Sequence, residues 1–221
     1  LPDIEKINNV AVADISKLDS ITFADGQKVN NQDVSLVTDA HTFIADNSSD
    51  TTDLSSIDFT SGIDSTYDVY EFIFTNINPA NDSVDFTFQV NATDGADYND
   101  SLITSTFLAF YHDEPTDTGA GGGYDTGRDA VQLDEPVKLA SYVGNAADEG
   151  VSGKLTLYAP SSTTYVKHFH GQFSTSAGHN QEYNTHVAGY INDTTDIDDI
   201  RFKMSAGNLD GLIEMYGLAK S

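Results

Sequence analysis

Beyond residue 62 the chain consists of short stretches in which apolar and polar side chains alternate. The clearest is Val84-Asp85-Phe86-Thr87-Phe88-Gln89-Val90, with four apolar side chains at every second position and Asp, Thr and Gln between them. Successive side chains on a strand project to opposite faces, so this period places one set on a core and the other toward water. Stretches of the same kind occur at 67–77, 102–111, 137–143, 154–159, 164–173, 183–191, 200–204 and 211–218. Turn-forming runs separate them, among them Asn78-Pro79-Ala80-Asn81-Asp82, Thr93-Asp94-Gly95 and Ala159-Pro160-Ser161-Ser162. The run Gly119-Ala120-Gly121-Gly122-Gly123 reads as a flexible surface loop, since no helix pattern follows it as a phosphate loop requires. Nine strands at this spacing predict an all-β fold, an antiparallel β-sandwich of jelly-roll type over 63–221. Strand–helix alternation is missing, which excludes doubly wound and TIM-barrel arrangements. Tyr70, Phe72 and Phe74 fall on one face and are expected in the core.

The first 34 residues follow a different rule. Pro2-Asp3-Ile4-Glu5-Lys6-Ile7-Asn8-Asn9 recurs as Ala13-Asp14-Ile15-Ser16-Lys17-Leu18-Asp19-Ser20 and as Ala24-Asp25-Gly26-Gln27-Lys28-Val29-Asn30-Asn31, an eleven-residue repeat whose lysines keep step. Apolar positions such as Leu1, Ile4, Ile7 and Val10 step by three, a spacing that drifts around a helix, and the turn pairs Asn8-Asn9, Asp19-Ser20 and Asn30-Asn31 favour short strand–turn units. Chains below about 40 residues seldom bury a core unaided. Ile4, Lys6, Ile7, Val10, Ile15, Lys17, Leu18, Ile21, Lys28 and Val29 are therefore expected to complete their packing against a partner, as an anchor. Residues 35–62 read as short strands at 35–38 and 41–45 followed by a polar linker, Asp46-Asn47-Ser48-Ser49-Asp50-Thr51-Thr52-Asp53.

Charge narrows the possible partners. Ten Lys and Arg stand against 35 Asp and Glu, a net charge of −25. Phosphate backbones are bound by Lys and Arg, so a nucleic-acid partner is excluded. The self-repulsion of such a surface falls as salt shortens the screening length, so saline surroundings suit it. No apolar run approaches the roughly 18 residues of a membrane span, and membrane insertion is not expected. Cysteine is absent, which removes disulfides, thiolate metal sites and thiol nucleophiles.

Candidate chemistry is sparse. His168 and His170 project from one strand face and, with His186, offer three imidazoles of the kind an open zinc site uses, although a histidine pair on a polar sheet face is the commoner arrangement. Asp94, Asp97 and Asp100 in one loop and Asp193, Asp196 and Asp198 in another carry the closely spaced oxygens that calcium takes. Neither loop has the EF-hand spacing, and both also read as solvated turns. Tyr98, Tyr124 and Tyr142 lie near turns, where exposed rings stack on sugars. No nucleophile elbow, zincin motif, phosphate loop or dinucleotide fingerprint is present, and no carboxylate pair stands out for glycoside hydrolysis. The expectation is a protein without enzymatic activity or cofactor.

The segment Lys6-Ile7-Asn8-Asn9-Val10-Ala11-Val12-Ala13-Asp14-Ile15-Ser16-Lys17 is similar to the I-N-G-V, A-x-I-x-K-V-N-G-V segments of structural proteins of tailed, notably marine, bacteriophages. Asn9 and Ser20 stand where glycine is commoner, and the third copy departs at Gly26 and Gln32. The part from Tyr67-Asp68-Val69-Tyr70-Glu71-Phe72 through Pro160-Ser161-Ser162-Thr163-Thr164 to Phe202-Lys203-Met204-Ser205-Ala206-Gly207-Asn208 and Ile213-Glu214-Met215-Tyr216-Gly217 resembles the β-rich domain that accompanies such repeats. The resemblance implies a fibre, appendage or capsid-decoration protein at the virion surface. Its implied partners are sister chains in a trimer and other virion proteins, and the loop tyrosines add a host-surface glycan as a further candidate. A carbohydrate-binding module is the alternative reading.

Overall fold

The computed structural model describes residues 41–218 except 94, 96, 99, 100 and 116–118, together with four two-residue strands before residue 41. The chain divides into two compact units, Leu1–Asp39 and Ala40–Ser221. In the first, β1 (Lys6–Ile7) pairs with β2 (Val10–Ala11) and β3 (Lys28–Val29) pairs with β4 (Gln32–Asp33), both antiparallel. Ile7 pairs with Val10 and Val29 pairs with Gln32, so the first and third repeat copies share one register. Among the anchor candidates, Lys6, Ile7, Val10, Lys28 and Val29 lie on these strands. Ile4, Ile15, Lys17, Leu18 and Ile21, and the strand expected at 35–38, lie outside the described residues.

The second unit is all-β, as expected. Its strands are β5 (His41–Asp46), β6 (Ile57–Phe59), β7 (Val69–Pro79), β8 (Val84–Ala92), β9 (Ile103–Asp113), β10 (Ala120–Tyr124), β11 (Ala130–Leu133), β12 (Val137–Val143), β13 (Gly150–Tyr158), β14 (Lys167–Ala177), β15 (Gln181–Ile191), β16 (Ile197–Met204) and β17 (Leu209–Leu218). One layer runs β5-β17-β7-β13-β14-β15-β9, with β10 and β11 on the far side of β9, and the other runs β6-β16-β8-β12. The layers join by backbone pairing at Val143 and Ala177, so the thirteen strands form one sheet folded over itself. The pairs nest: β7 with β17, β8 with β16, β9 with β15 and β13 with β14, as in a long hairpin rolled up.

All nine strands expected from the alternation are present. Three differences stand out. The strands at 41–46 and 57–59 pair with β17 and β16, so the β unit begins at Ala40, and what read as a linker before residue 63 is built into it. The glycine run forms β10 against β9, because pairing with a neighbour supplies the order its side chains lack. On β8, Thr87 and Gln89, assigned to water by the alternation, are 2% and 5% exposed. The chain after β8 folds back over that face, where Gln89 donates from Nε2 to the Tyr98 carbonyl at 3.2 Å.

Phenylalanines fill the space between the layers. Phe74 on β7 meets Phe86 on β8 and Phe202 on β16 with ring centroids 5.3 and 5.0 Å apart, and Phe88 on β8 meets Phe169 on β14 at 5.0 Å. Tyr70 is buried among them, its hydroxyl donating to the Asp64 carbonyl at 2.9 Å and accepting the Asp64 amide, so burial leaves no orphaned polar group. Phe202 touches the rings of Phe59, Phe72, Phe74 and Phe86. Replacing it with alanine is expected to cost about 3–5 kcal/mol, read as a lowered urea midpoint at unchanged slope.

Candidate tyrosine cleft

The strands β9, β10, β12 and β15 bring Tyr111, Tyr124, Tyr142 and Tyr183 to one cleft of about 360 Å³, and the turn after β10 adds Arg128. Tyr111 and Tyr183 are register partners on β9 and β15, and their rings lie 5.5 Å apart. Tyr142 arrives from the other layer, with its ring 5.6 Å from Tyr183. It sits at φ 60°, in a stretch of β12 where the register with β8 shifts. A bulky residue in the left-handed region is strained, and such strain persists only where the surroundings fix it and concentrates at functional sites. Here the Tyr142 carbonyl accepts the Gly178 amide at 3.2 Å, and His179 from the same turn sets its ring edge-on to Tyr142 at 5.0 Å.

The facing wall is the glycine run. Gly121 pairs with Tyr111, and a Cβ there would lie 2.9 Å from the tyrosine ring, so glycine is what lets β10 close over it. At Gly123 a Cβ would meet nothing within 4 Å. A wall without side chains keeps the cleft open. Tyr124 stands at its end, half exposed, with its hydroxyl 2.5 Å from Asp129 Oδ2. That hydrogen bond, more than burial, pushes the phenol above its ordinary range.

Polar groups around the rings are tied to one another. Tyr183 donates its hydroxyl to Gln181 Oε1 at 2.8 Å, and Gln181 donates from Nε2 to Asp113. Burial pushes the Tyr183 phenol up, aided by the neighbouring Tyr142. Arg128 lies over the Tyr142 ring at 4.3 Å, donates from Nε to Ser141 Oγ at 2.8 Å and pairs with Asp125. Burial opposes the charge of Asp125, but the Gly127 amide and Arg128 outweigh it and hold the carboxyl below its usual range. The result is a fixed aromatic floor with hydroxyls, a carboxylate and a guanidinium at its edge. Such a surface binds by stacking and hydrogen bonding, with little ordering left to do on binding.

The structure brings together two of the three tyrosines singled out from the sequence, Tyr124 and Tyr142. Tyr98 lies in a separate polar groove with Asp97, Asp134, Glu135 and Arg201. Its ring is covered by Arg201, 4.0 Å from the centroid, and Arg201 is held by a two-point contact with Asp58 at 3.0 and 2.6 Å. It is therefore a packed residue and not a free stacking surface. Tyr111, Tyr183, Arg128 and Gln181 escaped the sequence reading. Tyr111 and Tyr183 sit inside ordinary alternating strands, and only the register of β9 with β15 sets them side by side.

The metal candidates fare differently. His168, His170 and His186 do lie on the neighbouring strands β14 and β15. His170 is nevertheless stacked on Tyr158, with Nδ1 3.0 Å from its hydroxyl, and His168 leans on Tyr190. Asp94 and Asp100 lie outside the described residues. In the second acidic loop, a calcium candidate that also read as a solvated turn, the buried ammonium of Lys167 donates to the backbone carbonyls of Asp193 and Thr195 and supplies an internal cation. Among the described residues no group of three His, Asp or Glu side chains converges as metal ligands would.

Burial, then Asp58 and Asp199, push the Tyr98 phenol up to about 12 against the opposing pull of Arg201. In a spectrophotometric pH titration of the eleven tyrosines, Tyr98→Phe is expected to delete the step at highest pH and leave the earlier ones in place. No protein-family model matches the chain, and no curated protein or solved structure matches it either.

Proposed function

We propose that this chain is a non-enzymatic structural protein of a tailed-bacteriophage virion, a fibre, appendage or capsid-decoration protein. Its repeat segment docks to the particle and to sister chains in a trimer, and its β unit faces outward. The observation that supports this reading is the division of the chain. A unit of fewer than 40 residues, with the same register at two copies of a repeat, is separate from a large β unit with its own core. The small unit cannot bury its apolar residues unaided, so a partner must finish the job. Deleting residues 1–34 is expected to leave the β unit folded, with its thermal transition retained, but monomeric by light scattering and missing from particles. A truncated chain that stays trimeric or still enters particles would refute the docking role.

The tyrosine cleft favours a second, compatible reading, that the outward unit is a lectin-like module for a host-surface glycan. A rigid row of rings rimmed by polar groups is what a sugar needs: apolar C–H faces below and hydroxyl partners beside. On a glycan array the full-length protein is expected to bind a limited set of structures equally with and without a calcium chelator. Binding abolished by the chelator would move the site to the acidic loops, and uniform silence would leave only the structural role.

A further inference from the structure

We propose that the tyrosine cleft takes a neutral saccharide and turns away anionic ones, with Asp125 as the residue that sets this preference. The inference rests on the cleft being a glycan site and adds the class of sugar it accepts.

The shape of the floor comes first. Tyr111, Tyr183 and Tyr142 follow one another with centroids 5.5 and 5.6 Å apart. These rings pack on each other, so a small cation cannot lodge between their faces as in an open aromatic cage. Arg128 already occupies a position over Tyr142. What is left for stacking is the half-buried pair Tyr111 and Tyr183 edged with hydroxyls, which suits the flat face of a pyranose. The cleft volume, about 360 Å³, lies near the small end of ligand sites, in keeping with one or a few sugar units.

Charge then separates neutral from acidic sugars. Asp125 lines the cleft, Asp129 holds the Tyr124 hydroxyl and Asp113 holds Gln181. Carboxylates accept hydrogen bonds from sugar hydroxyls but repel a sugar carboxylate or sulfate. Arg128 is the cation lining the cleft among the described residues, and a guanidinium grips a carboxylate best through two parallel N–H bonds. Its Nε is committed to Ser141 and one terminal nitrogen to Asp125, so each edge of the fork already has a nitrogen engaged. Lys138, which also acts electrostatically on Asp125, is 3.1 Å from Asp85. Asp125 is itself fixed by the Gly127 amide at 2.9 Å. The acid thus neutralises the cation at the cleft that would welcome an anion. The net charge of −25 adds a long-range repulsion of the same sign.

The test uses the full-length protein on an array of neutral, sialylated, uronic and sulfated glycans. Affinities then come from tyrosine fluorescence, which no tryptophan obscures, with choline chloride as a small-cation control. Neutral glycans are expected to bind. Their affinity should fall about tenfold or more in Tyr183→Ala and in the surface variant Tyr124→Ala, as for a central stacking residue. Acidic glycans should bind only to Asp125→Asn, in which Arg128 is released. Preferential binding of acidic glycans by the unmodified protein would overturn the preference and leave the glycan site standing. Sugar binding indifferent to both tyrosine variants, saturation by choline in place of sugars, or silence across the array would overturn the site and the inference together. An Asp125→Asn protein that gains no acidic glycan would remove Asp125 from its role.

Discussion

The β unit depends on the burial of aromatic rings between two layers that share little backbone. The sheet crosses from one layer to the other at Val143 and Ala177, so hydrogen bonding alone would let the layers open like a hinge. Phe72, Phe74, Phe86, Phe88, Phe169, Phe173 and Phe202 close them, each 2% exposed or less. Apolar burial is non-directional and scales with area removed from water, so large rings at alternate positions on facing strands hold a folded-over sheet without pairing its edges. The nested pairing then follows. Once β7 and β17 lie together, β8 with β16 and β9 with β15 are brought into reach in turn.

The tyrosine cleft is a consequence of that same fold-over. Where the layers meet, near the end of β12, the phenylalanine core gives way to Tyr142, Tyr183 and Tyr111; the Tyr183 hydroxyl finds polar partners in Gln181 and His179, and Arg128 lies over the Tyr142 ring. Tyrosine suits a boundary, since one end of the ring is apolar and the other wet. The glycine strand β10 closes one side without filling it, and the turn that carries Asp125 and Arg128 closes another.

Charge is used sparingly against a large acidic excess. Arg128, Lys138, Lys154 and Arg201 each sit on a carboxylate, those of Asp125, Asp85, Glu71 and Asp58, while Lys167 is spent on loop carbonyls. Glu71 shows the pattern well. Burial disfavours its charge, yet Lys154 and His41, each 2.7 Å away, overcome this and lower its pKa. Positive charge therefore goes to pinning particular strands and turns and not to balancing the surface, which keeps a field that repels anions.

The strand content was legible in the sequence because alternation at a period of two is a local property, and β14, with buried and exposed residues in turn from Lys167 to Thr175, shows it. The core rings Tyr70, Phe72 and Phe74 could be named for the same reason. Local pattern could not reveal β6 and β10, since a three-residue strand and a string of glycines become strands only by pairing with β16 and β9, nor could it show that β5, legible as a strand, pairs with β17. The cleft was half legible. Tyr124 and Tyr142 stand out beside turns, but Tyr111 and Tyr183 look like any strand residue, and Tyr98 looks free until Arg201 is seen over it. The chain's own order of residues determined which faces would be apolar, because side-chain direction along a strand needs no neighbour. The Asp125–Arg128 pair is local to one turn, but which tyrosines meet and where a cleft stays open were decided by register and by the fold-over, which join residues tens of positions apart.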